Sequence, residues 1–366
     1  MNILFLTTHL NTGGITSYLL TLTKELIRQG HRVYLATSGG NQQDDFTFAG
    51  AEHLFVDIKT KSELNPKLYF AIEKIKRYMA QKNIHIIHAH TRVTQVMGWF
   101  LEKTTACPFV TTCHGFFRPH WGRRVFPCWG EAAIAISQPV KEHLEKDFKV
   151  GPEKIHLIMS GLDLSKFSVS REDYRKERRR LMGLDGYQLI GIIARLSDVK
   201  GHDILIRAMP KIIRQKMHTK LLIVGEGKEE AGLKELVAKL GLNDYVYFYP
   251  VMNKTVEFLE IFDVFVMPSL QEGLGLSVME AQACGLPVVA SDVGGLPNLI
   301  EHGKTGLLVP SQDSDALAEA ILDLLNDRKK ALALGRAARE FIEQNFSAQT
   351  MGAKTIAVYE KLRGGK

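Results

Sequence analysis

Short apolar runs alternate along this chain with longer stretches whose apolar residues recur at helical spacing. Residues 2–7 (NILFLT) form the first run, a loop covers 9–14, and 15–30 carry helical spacing that stops at Gly30. Runs at 31–37, 53–58, 84–90, 108–113 and 132–137 predict further strands with helical segments between them, one of these at 66–82. A strand at 154–159 and a turn at Ser160-Gly161-Leu162-Asp163 lead into residues 168–180, which include Arg171, Arg175, Lys176, Arg178, Arg179 and Arg180. Charge of that density predicts a solvated connecting segment.

A second series follows. It predicts a strand at 187–194, a helix at 202–216 and a strand at 219–224. Gly225-Glu226-Gly227 then turns into a helix at 228–240, and strands fall at 245–249, 264–267, 287–291 and 306–309. Residues 313–366 are mostly helical in pattern. Short apolar strands alternating with helices imply parallel sheets covered on both faces, an α/β fold. The expectation is two Rossmann-like domains in tandem, with ligands outside the carboxyl ends of the strands and in the cleft between the domains. No repeat of solenoid length and no low-complexity stretch interrupts the pattern.

Composition narrows the classes. The chain has 366 residues, 45% of them hydrophobic and 24% charged, which excludes disorder and collagen. Cys107, Cys113, Cys128 and Cys284 are too sparse for a disulfide scaffold and form no C-x-x-C pair, so free thiols in a reducing compartment are expected. No apolar run approaches the roughly 18 residues that span a bilayer. Met1 runs straight into a strand pattern without a basic leader, so no signal peptide is expected and the location is expected to be cytoplasmic. The net charge of 47 − 40 = +7 suits a partner carrying negative charge: nucleic acid, anionic lipid or a phosphorylated substrate.

The stretch 268–287, PSLQEGLGLSVMEAQACGLP, carries the most chemistry. A strand ends near Met267, a glycine-containing loop follows, and a helix is predicted from about 276 to 284. Unpaired N–H groups and the positive dipole end make such a helix start an anion site. Glu272 in the loop and Glu280 on the helix are acceptor-only groups suited to vicinal hydroxyls. Taken alone, both are better explained as surface charge. Arg195 and Lys200 fall at a strand's carboxyl end, where two cations can hold a diphosphate or simply face water. Asp292-Val293-Gly294-Gly295-Leu296-Pro297 is expected to open another helix, its glycines allowing close backbone approach to a ligand. Thr12-Gly13-Gly14-Ile15 follows the first strand in the same way, without the G-x-G-x-x-G dinucleotide pattern.

The ordered set resembles the family 4 retaining glycosyltransferases of GT-B fold, the glycosyl transferases group 1. The resemblance rests on Glu272 and Glu280 as an E-x7-E element within QEGLGLSVMEAQACGLPVVASDVGG, and on ARLSDVKG with Arg195 and Lys200. His114-Gly115 after a strand, the Gly13-Gly14 loop and SGLDLSKF at 160–167 complete it. Leu274, Leu276 and Ser160 depart from the commonest residues, which bears on sugar choice rather than class. The resemblance implies an N-terminal acceptor-side domain at 1–165, a nucleotide-sugar domain at 166–346, and a helix at 347–366 crossing back. It implies that Arg195 and Lys200 hold the donor's phosphates and that Glu280 binds the ribose. Glu272 would contact the transferred sugar, with backbone contacts from Gly273, Leu274, Gly275 and Leu276. His114 would face that sugar, and Gly13 and Gly14 would close over the donor.

A metal-independent enzyme with no cofactor is implied, the nucleotide-sugar, with UDP favoured over GDP, being a substrate. Asp313-Ser314-Asp315 is expected to cap a helix rather than hold a metal, and His85, His88, His90 and His114, clustered near strand ends, to be ordinary strand-end histidines rather than zinc ligands. On the acceptor side, HGFFRPHWGRRVFPCWG at 114–130 mixes Phe and Trp with Arg118, Trp121, Arg123 and Arg124. Aromatics beside cations suit a lipid-linked phosphate or a membrane surface, and Lys67, Lys74, Lys76 and Arg77 add to it. The expected partners are a nucleotide-sugar donor, a glycan, lipopolysaccharide or lipid-linked acceptor, and an anionic membrane at its inner face. No nucleic-acid motif accompanies the basic segment. The alternatives are a nucleotide-sugar epimerase of the same fold and a non-catalytic nucleotide-sugar-binding protein.

Overall fold

The computed structural model describes residues 1–60, 62–63, 65–117, 119, 122–123, 126–167, 172–250 and 255–364. Two compact units divide the chain, Met1–Leu162 with Ala348–Lys366 and Asp163–Ser347. The breaks fall after residues 162 and 347, where the sequence placed them after 165 and 346.

The first unit opens with β1 (Asn2–Leu6), α1 (Gly14–Arg28), β2 (Arg32–Thr37), α2 (Gln43–Phe48) and β3 (Glu52–Phe55). It continues with α3 (Lys67–Lys82), β4 (Ile86–Ala89), α4 (Arg92–Thr105), β5 (Phe109–Cys113), β6 (Ala132–Ala135), α5 (Gln138–Lys146) and β7 (Ile155–Leu157). Its seven strands lie in the order β3-β2-β1-β4-β5-β6-β7, and every pairing is parallel. The second unit comprises α6 (Glu172–Leu181), β8 (Gln188–Ile193), α7 (His202–Gln215), β9 (Thr219–Val224), α8 (Glu230–Lys239), β10 (Val246–Tyr249) and α9 (Thr255–Leu259). It continues with β11 (Val264–Met267), α10 (Leu276–Ala283), β12 (Val288–Ser291), β13 (Leu307–Val309), α11 (Ser314–Asn326) and α12 (Arg328–Asn345). Six parallel strands run β10-β9-β8-β11-β12-β13. The last helix, α13 (Ala348–Gly364), belongs to the first unit.

Central strands of both sheets are buried along nearly their whole length, which is why they read as continuous apolar runs rather than alternating ones. In the first unit Leu4, Leu6, Ile87 and Phe109 of the sheet meet Ile75 and Met79 of α3 and Met97 and Leu101 of α4. In the second, Ile190, Ile192, Leu221, Ile223 and Val264 meet Leu205, Met209 and Ile212 of α7 and Leu317 and Ile321 of α11. All four cysteines are free and buried. Asp313 caps α11, its carboxylate accepting from the N–H groups of Asp315 and Ala316, as its place before an apolar helix predicts.

α13 is sewn into the first unit by side chains. Tyr359 is fully buried and its hydroxyl lies 2.6 Å from His88 Nδ1. The Gly161 N–H donates to Met351 Sδ at 3.1 Å. Gly352 leaves room for Glu25 of α1, since a Cβ there would lie 2.3 Å from the Glu25 Cγ.

Two expectations are corrected. Residues 172–181, expected as a solvated connection, are largely exposed but form helix α6, whose arginines tie it to the rest of the second unit. Asp263 accepts from Arg175 at 2.6 Å, from Arg179 at 2.8 Å and from the Leu189 N–H at 2.7 Å. Arg178 pairs with Glu257. Charge density marked that segment as exposed, but its arginines find carboxylates and carbonyls far along the chain. The Asp292–Pro297 segment opens only a single 3-10 turn, Leu296–Asn298, and not a helix.

Candidate functional site

In the six-stranded sheet the chain moves outward from β8 to β9 and β10, then returns to β11 on the other side of β8. The loops leaving β8 and β11 therefore diverge, and that topological switch is where open α/β sheets admit ligands. After β8 come Ala194, Arg195, Leu196 and Ser197, then a 3-10 turn at Asp198–Lys200, then Gly201 at φ 67° opening α7. Gly201 is required twice over. Its backbone is left-handed, and a Cβ would lie 2.0 Å from the Pro268 carbonyl oxygen. The loop after β11 presses on this turn, with the Leu270 N–H donating to the Val199 carbonyl at 2.8 Å.

This contact brings Lys200 and Glu272 together. Lys200 Nζ lies 2.5 Å from Glu272 Oε2, and their side chains are 19% and 12% exposed. On sequence the two residues take different ligand groups and are not paired. In the fold each satisfies the other. Arg195 is exposed and forms no ion pair with any described residue. Gly275, at φ 106°, starts α10, so the unpaired N–H groups of that helix open at the same loop. Gly273 and Leu276 are half-buried, whereas the Leu274 side chain is buried, so what Leu274 offers a ligand is backbone.

Gly294 and Gly295 have another use than the expected one. The Gly295 N–H donates to the Glu272 carbonyl at 3.0 Å. A Cβ on Gly294 would lie 2.0 Å from that same oxygen, and Gly294 sits at φ 54°. These glycines brace the Glu272 loop. Gly225 and Gly227, which the sequence reading noted only as a turn, do the same for the first loop. Their Cβ atoms would lie 1.9 Å from the Ala194 oxygen and 2.1 Å from the Leu196 oxygen. The signal that could have found them is the G-x-G at a strand's carboxyl end beside the Arg195 loop.

Glu280 lies one turn inside α10, half-buried. Burial pushes its carboxyl up to about 7, against the pull of Lys166. The folded chain thus holds a proton here that the unfolded chain releases near the ordinary carboxylate value of 4.5. The stability this proton brings is full below that value and lost as pH rises through about 7. Glu280→Gln should therefore melt with the wild type in acid and several degrees above it at pH above about 7. A melting-temperature difference that does not change with pH would contradict the buried, protonated carboxyl.

The seven-stranded sheet has its own switch between β1 and β4. Gly13 and Gly14 stand at the start of α1 after β1, and the nearest atom to a Cβ on Gly13 would be 3.9 Å away. Packing does not demand a glycine at position 13. His114 follows β5 and His90 follows β4, with His90 Nδ1 3.1 Å from His114 Nε2. Burial drives the His114 imidazole down to about 3, and His90 lies well below its ordinary value from burial and its two histidine neighbours, so both rings are neutral. His88, fully buried, is likewise held down to about 3. The sequence groups His88, His90 and His114 near strand ends as ordinary histidines, and does not show the contact of His90 with His114. The H-x-H spacing on one strand face was the available signal. Arg123 of the acceptor set stacks over the Phe117 ring at 4.5 Å. Arg118, Trp121 and Arg124 lie outside the described residues. Among the described residues no three His, Cys, Asp or Glu side chains are disposed to hold a metal ion.

Comparison with known proteins gives one class. The model of the family Glycosyltransferase Family 4 matches residues 12–166, and that of Glycosyl transferases group 1 matches 173–341. A GDP-mannose-dependent alpha-(1-6)-phosphatidylinositol monomannoside mannosyltransferase from Mycolicibacterium smegmatis is 30% identical over 363 residues, covering 93% of each chain. A D-inositol 3-phosphate glycosyltransferase from Jonesia denitrificans is 27% identical over 395 residues, covering 96% of this chain and 92% of the relative. The solved structure of HepE from Anabaena in complex with UDP-glucose superposes at a TM-score of 0.88 with 22% identity, covering 99% of this chain and 100% of that one, a likeness of fold. With both halves matched in order and a relative sharing almost its full length, the chain belongs to the family 4 glycosyltransferases and is a glycosyltransferase of GT-B fold.

Proposed function

We propose that this enzyme moves a hexose, with retention at the anomeric carbon, from a UDP-sugar to a hydroxyl of a lipid-linked or cell-surface glycan, lipopolysaccharide included, without a metal ion. The observation that carries the reading is the Lys200–Glu272 pair at the β8/β11 switch, with Arg195 unpaired beside it. Glycosyl transfer builds positive charge at the anomeric carbon and negative charge on the departing diphosphate. Fixed cations and helix-end N–H groups stabilise that diphosphate, and Arg195, Lys200 and the start of α10 are such groups. Glu272 takes the sugar's hydroxyls once Lys200 turns to phosphate, Gly273 to Leu276 add backbone contacts, and Glu280 takes the ribose. In the first unit Gly13 and Gly14 meet the donor and His114 meets the sugar. In the reaction the acceptor oxygen bonds to the anomeric carbon as its bond to the phosphate oxygen breaks. The hydroxyl proton passes to that leaving oxygen.

A thermal-shift panel of UDP, GDP, ADP and their sugar conjugates tests the carrier. Ligand at a hundred times its Kd stabilises by about 2.7 kcal/mol. A shift with the uridine series is expected. A shift with GDP-mannose alone, the donor named for the Mycolicibacterium relative, would overturn UDP and keep the class. Turnover should survive EDTA. Loss with EDTA that magnesium restores would overturn the metal-free reading.

The acceptor side is proposed to work at an anionic membrane surface. Support comes from α3, which exposes Tyr69 (67%) and Phe70 (74%) and carries Lys74 and Arg77 on the stripe four and seven residues beyond Phe70. The two relatives are named for phosphorylated inositol acceptors. No described helix is long and apolar enough to cross a membrane. The protein should float with phosphatidylglycerol vesicles and less with phosphatidylcholine, and Phe70→Ser should weaken flotation. Equal flotation with both lipids, or no effect of Phe70→Ser, would remove α3 from the acceptor side.

A further inference from the structure

We propose that His90 is a positioning residue that fixes the tautomer of His114, so that His114 presents its Nδ1–H as a hydrogen-bond donor to the sugar. The inference rests on the reading above that His114 meets the transferred sugar.

The two rings share one short contact, His90 Nδ1 to His114 Nε2 at 3.1 Å. Both imidazoles are neutral, so a single proton occupies this contact. If His114 donates, His90 carries its own proton on Nε2. That atom is buried and has no partner among the described residues, so an orphaned N–H would sit in the core, the rarer and costlier arrangement. If His90 donates, its Nε2 is a bare lone pair and His114 is left with its proton on Nδ1. His114 makes no other side-chain hydrogen bond with a described residue, and it is half-buried where His90 is 3% exposed. The free donor therefore lies on the ring nearer solvent.

The surroundings hold His90 to that role. His88 stacks on it at 4.1 Å between ring centroids, and Phe5 meets it edge-on at 5.3 Å. His88 cannot swing away, because its Nδ1 contacts the Tyr359 hydroxyl at 2.6 Å and its Nε2 the Thr112 hydroxyl at 2.7 Å. Tyr18 closes the other side, its ring 4.8 Å from His114. A donor aimed at a sugar hydroxyl or ring oxygen is of use, while the other tautomer would offer that oxygen only a lone pair.

The test is long-range proton–nitrogen correlation NMR on the full chain labelled with 15N-histidine, the His114 signals being assigned by their loss in His114→Gln. The expected result is a protonated Nδ1 and a bare Nε2 on His114. A protonated Nε2 in the wild type overturns the proposal without any variant. His90→Asn can still donate from its carboxamide and should keep the tautomer. His90→Leu should lose it, and kcat should fall about tenfold further in Leu than in Asn, about the loss of one hydrogen bond. An unchanged tautomer in folded His90→Leu sinks the positioning role. A changed tautomer with unchanged kcat sinks instead the placement of His114 at the sugar.

Discussion

Lys200→Ala lowers kcat by about 100- to 1,000-fold, the cost of one preorganised group that meets charge developing in the transition state. The ion pair sharpens this expectation. Lys200 is held against Glu272 where two loops meet, at the same loop as the start of α10. Lys200→Arg keeps the charge on a longer, planar group and should recover only part of the loss. The pair also predicts an effect of opposite sign. Glu272→Gln releases Lys200 from its partner, so calorimetry should find UDP bound several-fold more tightly while turnover with the sugar donor falls. Normal turnover in Lys200→Ala, or weaker UDP binding in Glu272→Gln, would contradict the assignment of the two groups.

Asp263→Ala destabilises the second unit by about 2–3 kcal/mol, the range for hydrogen bonds to a charged group with a partly buried ion pair broken. One carboxylate serves Arg175, Arg179 and the Leu189 N–H of β8, and its removal takes a partner from all three. The measurement can be made specific to the unit. All three tryptophans, Trp99, Trp121 and Trp129, lie within Met1–Leu162. Tryptophan fluorescence should therefore keep its unfolding midpoint in Asp263→Ala, while part of the circular dichroism signal melts earlier. An unmoved circular dichroism transition would mean that α6 carries no strap.

The strands and most helices were legible because a parallel sheet buried on both faces writes uninterrupted apolar runs into the sequence, as at Leu221–Val224 and Val264–Met267. The start of α10 was legible from the loop glycines before it. The residues at the switch could be named, but their roles came from family likeness and not from spacing. What escaped was pairing over distance. Lys200 and Glu272 stand 72 residues apart, and Arg175 and Asp263 stand 88 apart. A charge run therefore looked solvated when its partners were only folded back onto it. Glycine was ambiguous for a related reason. A loop that approaches a ligand and a loop that approaches another loop both need the missing Cβ, and Gly294 does the second.

The helix that finishes the first unit is made after the whole of the second. Ribosomes emit residues 1–162 first, then the whole of Asp163–Ser347, and only then α13 with Tyr359 and Met351. Until that moment the nascent first unit must wait with the groove beside α1 open and His88 without its tyrosine. The second unit lies wholly within one continuous stretch, helices included, and can close while synthesis goes on. The unit begun first is thereby completed after the second, and the waiting half is the one a chaperone would have to guard. A circular permutant that moves the α13 segment ahead of β1 would let both halves fold as they emerge.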